Sequence, residues 1–308
     1  FKNYIKDNNL FDQATKVVYA SGLEGKKDIQ QYIDDNFDVL GIPLTQFDEI
    51  SNLNKINDIL LKDKIKIPEI SDAFNYKSLS KSYNSSGGIG VGNNIFSSNT
   101  YYQKFIPGKT FSISFIASDS DPFILGFNQL FIVENNIKYP FLHAGAMIID
   151  FDQPYKGYML DWIKVITKHY SLTGYISIDF KIFNNNLEIL DINPRLSASY
   201  RLYTRKYKNL MFNHMKPGGP LDIKSNDYFS YIILYAKNDL VVDERIGSIE
   251  DISDTPNIGQ VIKKDMPIMT LNIRASNQQN LYKETKRRII SAMKIIDCYN
   301  TQLDYEQY

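Results

Sequence analysis

The chain has 308 residues, 43% of them hydrophobic, with 35 basic and 35 acidic side chains, enough to close a core and divide around one site. Balanced charge without a basic block leaves no footprint for nucleic acid or another polyanion. A single cysteine, Cys298, excludes an intrachain disulfide framework, and no apolar run approaches the ~20 residues of a membrane span.

No signal-peptide pattern opens the sequence, and the lone cysteine fits a reducing compartment, so a cytoplasmic protein is expected. Position 1 is Phe1 and not Met, so residues preceding it are expected too. Residues 1–48 read as α/β. Val17-Val18-Tyr19-Ala20 is a short strand ending at Ser21-Gly22, followed by a helix-compatible stretch and then Phe37–Leu40 before Gly41-Ile42-Pro43. Over 49–64, Ile50, Leu53, Ile56, Ile59, Leu60 and Leu61 recur at helical spacing, with a stop before Pro68. Residues 75–118 predict strand, Gly-rich loop, strand, turn and strand, the last alternating cleanly over 111–116. Short strands with Asn-containing turns follow over 123–150, then an amphipathic helix over 158–170 around Met159, Trp162, Ile163 and Ile166. A hairpin is expected over 175–193, strands over 227–275 and a helix over about 279–298, giving an α+β or α/β protein without internal repeats.

The hairpin carries most of the chemistry. With strands 176–183 and 187–192 joined by Asn184-Asn185-Asn186, pairing Phe183 with Leu187 sets Asp179 opposite Asp191 and Ser177 opposite Asn193. Two carboxylates would then leave one face with β-carbons ~4.5–5.5 Å apart. Such a pair repels unless a cation lies between, and Mg²⁺ commonly uses one or two carboxylates plus nucleotide phosphates. The same residues also fit a solvated hairpin face, and a two-residue loop would set Asp179 against Leu190 or Ile192 instead.

Lys81-Ser82-Tyr83-Asn84-Ser85-Ser86-Gly87-Gly88-Ile89-Gly90 offers backbone N–H groups and one lysine to a phosphate, although the G-K-[ST] ending of a Walker A loop is absent. A plain flexible loop has the same composition. Tyr101 to Gly108 ends a strand at a Pro-Gly turn, which suits an adenine slot as well as an ordinary hairpin turn.

Together these segments resemble the ATP-grasp superfamily, in its branch of biotin carboxylases and carboxylate–amine ligases, over about residues 50–200. The resemblance implies an N-terminal α/β domain over 1–48 and two α+β subdomains enclosing the nucleotide. These are a small one with a Gly-rich lid over 49–120, and a large one over 121–308 with the metal-binding hairpin and the C-terminal region. It implies that Lys55, Lys81 and the loop Ser86, Gly87 and Gly88 hold the phosphates of ATP. The adenine hinge falls on Gln103, Lys104, Phe105 and Ile106. Asp179, Asp191 and Asn193 become ligands of Mg²⁺, or of Mn²⁺ in its place. Both acids are Asp where the family more often has Glu, and no acid follows the hinge, where Lys109 stands. Arg195 and Lys81 take the catalytic roles, with Arg195 on the substrate carboxylate or the transferring phosphoryl group. Ser197, Ser199, Tyr200 and His143 are the expected substrate contacts, and His169 and His214 read as structural.

The segment from Asp254 to Ile268 resembles the closing region of a narrower group near the ligases that join glutamate to tyrosine or tyramine in methanofuran-type cofactor biosynthesis. The activity implied is an ATP-dependent ligase acting on small carboxylate and amine substrates, with no nucleic-acid or membrane partner and compatible with a homodimer. A biotin-carboxylase-like enzyme using bicarbonate, or a non-catalytic ATP-binding regulator, are the alternatives.

Overall fold

The computed structural model describes residues 16–60, 64–83, 86–92, 100–118, 121–151 and 154–303. Strands β1 (Lys16–Val17) and β2 (Asp38–Val39) pair in parallel around helix α1 (Lys27–Asn36). Tyr19, Ile33, Leu44 and Phe47 close a small core beneath them. The apolar run over 49–64 predicts one helix, but the structure makes two, α2 (Leu44–Ile50) and α3 (Leu53–Leu60). Asn52 causes the break, its side-chain oxygen accepting from the Asn54 amide at 3.1 Å in an Asx turn. Asp34 caps α2, both its oxygens accepting from the amides of Leu44 and Thr45. Of the apolar positions in that run, Ile50, Leu53 and Ile56 are buried, while Leu61 lies outside the described residues.

Next along the chain come β3 (Ile65–Lys66), β4 (Ile70–Ser71), β5 (Ser78–Ser82), β6 (Val91–Gly92) and β7 (Thr100–Lys104). The last four form a small antiparallel sheet in the order β4-β7-β5-β6.

The main sheet then takes β8 (Thr110–Ala117), β9 (Phe123–Ile132) and β10 (His143–Ile149). After helix α4 (Lys156–His169) it gains β11 (Gly174–Phe183) and β12 (Asn186–Asn193). Helices α5 (Tyr200–Lys206) and α6 (Leu210–Met215) precede β13 (Tyr228–Tyr235), β14 (Leu240–Val241), β15 (Ile252–Ser253), β16 (Val261–Ile262), β17 (Pro267–Ala275) and helix α7 (Gln278–Met293). Nine strands line up as β15-β17-β13-β10-β9-β8-β11-β12-β3, antiparallel throughout except for β12 with β3. Strand β8, expected in the small subdomain, lies in the middle of this large sheet. The periodicity of its flanks does not say which sheet a strand joins.

The two faces of the sheet have different fates. Ile176, Ile178 and Phe180 of β11 point into the main core, which also takes in Met159, Trp162, Ile163 and Ile166 of α4, while Leu281 and Ile289 of α7 join the same core over β13 and β17. Tyr175 points to the opposite face and packs with Leu202, Tyr203 and Leu210 of α5 and α6, two helices that the sequence pattern leaves unassigned. These short helices cover only one end of that face. Farther along it lies an open cleft. No helix among the described residues is long and apolar enough to cross a membrane.

Candidate nucleotide and metal site

The hairpin β11–β12 places its two acids by an unexpected route. Asn184 and Asn185 are both left-handed (φ 48° and 59°), and they form a two-residue loop that pairs Phe183 with Asn186 and Ile182 with Leu187. Loops of this hand match the right-handed twist of the strands. The three-residue loop expected over 184–186 is therefore corrected, and the register of the two-residue loop, continued unbroken, would have set Asp179 against Leu190 and parted the acids. A β-bulge between Asp179 and Phe180 restores them. Phe180 pairs with Ile189, Leu190 is the extra residue, and Asp179 then faces Asp191, Ile178 faces Ile192 and Ser177 faces Asn193.

The same bulge frees the Leu190 carbonyl, which accepts from Lys81 Nζ at 3.1 Å. Lys81 stands on β5 of the small sheet, so this bond spans the cleft between the two sheets. Burial pushes the Asp179 pKa up to about 7, with Asp191 adding to the rise and Arg195 and Lys81 opposing it. Burial also raises Asp191, against Lys81 and Arg195. Burial lowers Lys81, and the two acids oppose that shift. The cluster is thus electrostatically uneasy, with two acids and one lysine each disfavoured in the charged form.

These acids line a cavity of about 520 Å³ shared by both sheets and the N-terminal segment. Lys81, Ser86, Gly87 and Gly88 form its roof, and Asn193, Arg195, Ser197, Ser199 and His143 also border it. The Gly-rich loop is docked onto the segment before β10, where the His143 amide donates to the Gly87 carbonyl at 2.9 Å. Gly88 has φ +77°, and a β-carbon there would lie 1.8 Å from the Phe141 carbonyl oxygen, so only glycine permits this approach. Asn84 and Ser85, earlier in the same loop, lie outside the described residues.

The floor changes character across the sheet. Near the acids it carries Ser177, Asn193, Ser197 and Ser199, and a buried polar network lies behind them: Asn128 donates to Ser112 and Ser114, Ser114 hydrogen-bonds Tyr175, and the Tyr175 hydroxyl lies 3.1 Å from Ser197 Oγ. Farther along, Leu130, Ile132, Ile233 and Tyr235 present an apolar wall. His143 stands there with Nε2 at 2.8 Å from the Tyr231 hydroxyl, and burial, aided by the Arg201 charge, pushes its pKa down to about 4. Arg201 lies over the Tyr231 ring, 5.1 Å from its centroid.

Several expected residues stand elsewhere. Lys55 is half-exposed on α3, pairs with Glu49 at 3.5 Å and does not border the cavity. Gln103, Lys104, Phe105 and Ile106 do not border it either. Their backbone is less available than a broken strand implies, because the amides of Lys104 and Phe105 donate to the carbonyls of Glu69 and Lys77. The Ile106 carbonyl accepts from Lys181 Nζ at 2.8 Å. Buried Gln103 keeps its amide nitrogen without a hydrogen-bond partner among the described residues. Tyr200 packs edge-on against Tyr175 with its hydroxyl likewise unpartnered, just outside the cavity lining.

Other residues border the cavity without having been expected there. Glu24, Tyr83, Tyr101, Tyr231 and Tyr235 all do so. Lys181, two residues beyond Asp179 on the same strand face, is pushed down to about 8 by burial and by Lys81. The position of Glu24 had a signal: it follows Ser21-Gly22 at the carboxyl end of a parallel strand, where open α/β units place ligand-binding loops.

The donor set suits a hard divalent cation: two carboxylates face each other in a partly dry setting, with an amide beside them. Asn193 would have to yield something, since its side-chain oxygen accepts from Arg195 at 2.8 Å and its nitrogen faces Asp179 at 3.5 Å. No group of three or more His, Cys, Asp or Glu side chains forms a cage among the described residues, so any ion here would take its remaining ligands from water or a bound substrate.

Residues 51–199 match the family model described as an ATP-grasp domain. An uncharacterized protein of Methanocaldococcus jannaschii is 28% identical over 170 residues, covering 55% of this chain and 41% of the relative. The chain thus spans about two fifths of that relative's length. Among solved structures, the biotin carboxylase domain dimer of Hydrogenobacter thermophilus 2-oxoglutarate carboxylase, with MgADP, ADP and bicarbonate, superposes with a TM-score of 0.68. Identity is 13%, over 97% of this chain and 78% of that one. The L-amino acid ligase of Bacillus licheniformis gives a TM-score of 0.61 at 11% identity, over 81% and 73% of the two chains.

Proposed function

We propose that the chain is an ATP-dependent ligase joining a carboxylate to an amine, because residues 51–199 match the ATP-grasp domain model and the fold superposes on a biotin carboxylase domain and an L-amino acid ligase. The observation that carries this reading is the Asp179–Asp191 pair beneath Lys81, a cluster that holds two acids together only at a cost. Phosphoryl transfer asks for that arrangement, since its demand on the protein is positioning and charge neutralisation.

In the proposed reaction a substrate carboxylate oxygen attacks the γ-phosphorus and ADP leaves, giving an acyl phosphate. An amine then attacks the acyl carbon, phosphate leaves and the nitrogen loses a proton to form the amide. Asp179 and Asp191, with Asn193 after reorientation, would hold Mg²⁺, or Mn²⁺ in its place. The ion would supply positive charge to the phosphate oxygens. Lys81 and the backbone of Ser86, Gly87 and Gly88 would cover the same phosphates, with Lys55 swinging in as the roof closes. Gln103 to Ile106 would border the adenine, and Arg195 would hold the substrate carboxylate through its planar fork. Ser197, Ser199 and Tyr200 would take the substrate's polar ends.

The finer reading is an amino acid such as glutamate as the acid and a tyrosine- or tyramine-like amine as the acceptor, in cofactor biosynthesis. Its support is the wall of Leu130, Ile132, Ile233 and Tyr235, wide and apolar, with neutral His143 and Tyr231 as its polar groups. The proposed enzyme works in the cytoplasm, with a homodimer as its assembly.

The test is ADP release from MgATP across a panel of acids and amines. The ligase reading expects release only when both are supplied. Bicarbonate-dependent release without an amine would replace it with a carboxylase, and ATP binding without turnover under every pair would replace it with a regulator.

A further inference from the structure

Arg195 is held from outside its own subdomain. Its Nε donates to Glu24 at 2.9 Å, Nη2 donates to Asn193 at 2.8 Å and Nη1 reaches the Leu196 carbonyl at 3.5 Å. Glu24 and Arg195 are both more than nine-tenths buried, yet both border the cavity. The other Glu24 oxygen accepts from the Gly22 amide at 2.5 Å, in a turn that Gly22 makes with φ +108°. The flanking chain is tied to the same place. The Tyr19 hydroxyl lies 2.8 Å from the Ile42 carbonyl and 3.1 Å from the Pro194 carbonyl, sharing its one proton between them, and Ala20 bridges Leu196 in parallel.

We propose that Glu24 is a positioning residue that fixes the Arg195 guanidinium, so that the N-terminal segment completes the substrate side of the site. The alternative place for that guanidinium is plain. Asn193, which Arg195 holds, itself faces Asp179 at 3.5 Å, and a buried cation without its own counter-ion moves toward the nearest carboxylates. There it would occupy the space between Asp179 and Asp191. Glu24 supplies a competing charge on the far side. With Nε, one Nη2 donor and one Nη1 donor engaged, one N–H remains on each terminal nitrogen, a pair matched to two oxygens of one carboxylate or phosphoryl group. The two-point hold through Nε and Nη2 also fixes the plane of the fork.

The experiment compares the intact chain with Glu24→Ala and with Glu24→Gln, which keeps an oxygen for Nε. Phenylglyoxal modification of Arg195, followed by peptide mass, needs no knowledge of the substrates. Arg274, distant on β17 and paired with Asp227, serves as the internal reference. The expected result is Arg195 modification at least about fivefold faster in Glu24→Ala, with a smaller change in Glu24→Gln and none at Arg274. MgATP affinity by calorimetry should stay within about twofold, while the KM for the acid rises about tenfold and is partly restored in Glu24→Gln. Unchanged Arg195 reactivity in a folded Glu24→Ala protein would overturn the proposal, as would equal losses in ATP affinity and acid KM. Should the alanine variant fail to fold, the same comparison is made in Glu24→Gln, where unchanged reactivity and unchanged acid KM together would overturn it. The inference rests on the ligase reading only for the KM arm. If no acid–amine pair supports turnover, that reading fails while the footprint still decides the role of Glu24.

Discussion

The Lys81 ammonium donates to the Leu190 carbonyl, which is the carbonyl that the β-bulge of β12 releases from the ladder. One irregular residue therefore aligns the two acids and gives the opposing lysine its anchor. Lys81→Ala removes the cation facing both carboxylates, and turnover should fall by about 10²–10³. Stability should change little, because the variant also removes a buried charge. Steady-state ADP release together with thermal melting checks both halves.

Stability should depend on pH and metal in a linked way. Asp179 has a folded pKa of about 7, above its ordinary value, so the unfolded chain gives up this proton more readily than the folded one. The sign follows: the metal-free protein loses stability as pH rises from about 4 toward 7, and stays at the lower level above that. Melting temperature without divalent ions should thus drop by several degrees between pH 5 and pH 8 through this group, and Mg²⁺ should recover most of the drop at pH 8.

Asp191→Asn should split stability from function. Removing one of two facing acids relieves their repulsion, so the metal-free variant should melt at or above the parent temperature at pH 8. The Mg²⁺-dependent rise should disappear, and turnover should fall by about 10² or more. Melting curves with and without Mg²⁺ measure the split.

The two lid glycines should differ sharply on replacement by alanine. At Gly87 nothing lies within 4 Å of a new β-carbon, so Gly87→Ala costs only the left-handed backbone, about 1 kcal/mol. At Gly88 the new carbon would meet the Phe141 carbonyl at 1.8 Å, so the loop must leave its docked position. MgATP affinity should fall about tenfold or more in Gly88→Ala and by less than about threefold in Gly87→Ala, as read by calorimetry.

His143 should stay neutral through the working range. Burial holds its pKa at about 4, so above pH 5 it adds no charge to the acceptor end of the cavity. Its imidazole resonances in a pH-titrated NMR spectrum should not move between pH 5.5 and pH 8. A midpoint near the ordinary histidine value of about 6.5 would contradict the buried geometry.

How much of this was legible in the sequence varies by residue. The alternation over 175–193 located the hairpin, and α4 follows from the spacing of Met159, Trp162, Ile163 and Ile166. The pairing of Asp179 with Asp191 is as expected, but the loop assumed for it is not. A bulge leaves no mark on composition, because Leu190 is as ordinary a strand residue as its neighbours. Lys81 and Gly87-Gly88 could be placed because glycine and lysine have few local reasons to stand together. Lys55 and the 103–106 segment fell away from the cavity because sequence gives order along the chain and not the angle between subdomains. Glu24, 171 positions before its partner Arg195, is a contact that no local pattern encodes. Helices α5 and α6 were missed because each is a turn or two long, too short for a periodicity to emerge.

Strand β11 runs beside β8 without a slip, from Gly174 against Ala117 to Phe180 against Phe111. Its only slip against β12 lies between the acids and the turn. The spacing of the two carboxylates is therefore measured from the sheet's interior outward, like a length laid off from a fixed edge. The Asn184–Asn185 tip is the free end of that ruler, and the slack of one residue at Leu190 absorbs what the tip demands. Changes at the tip should consequently be read first in the outer rungs, while the distance that matters for chemistry stays under the control of a neighbouring strand.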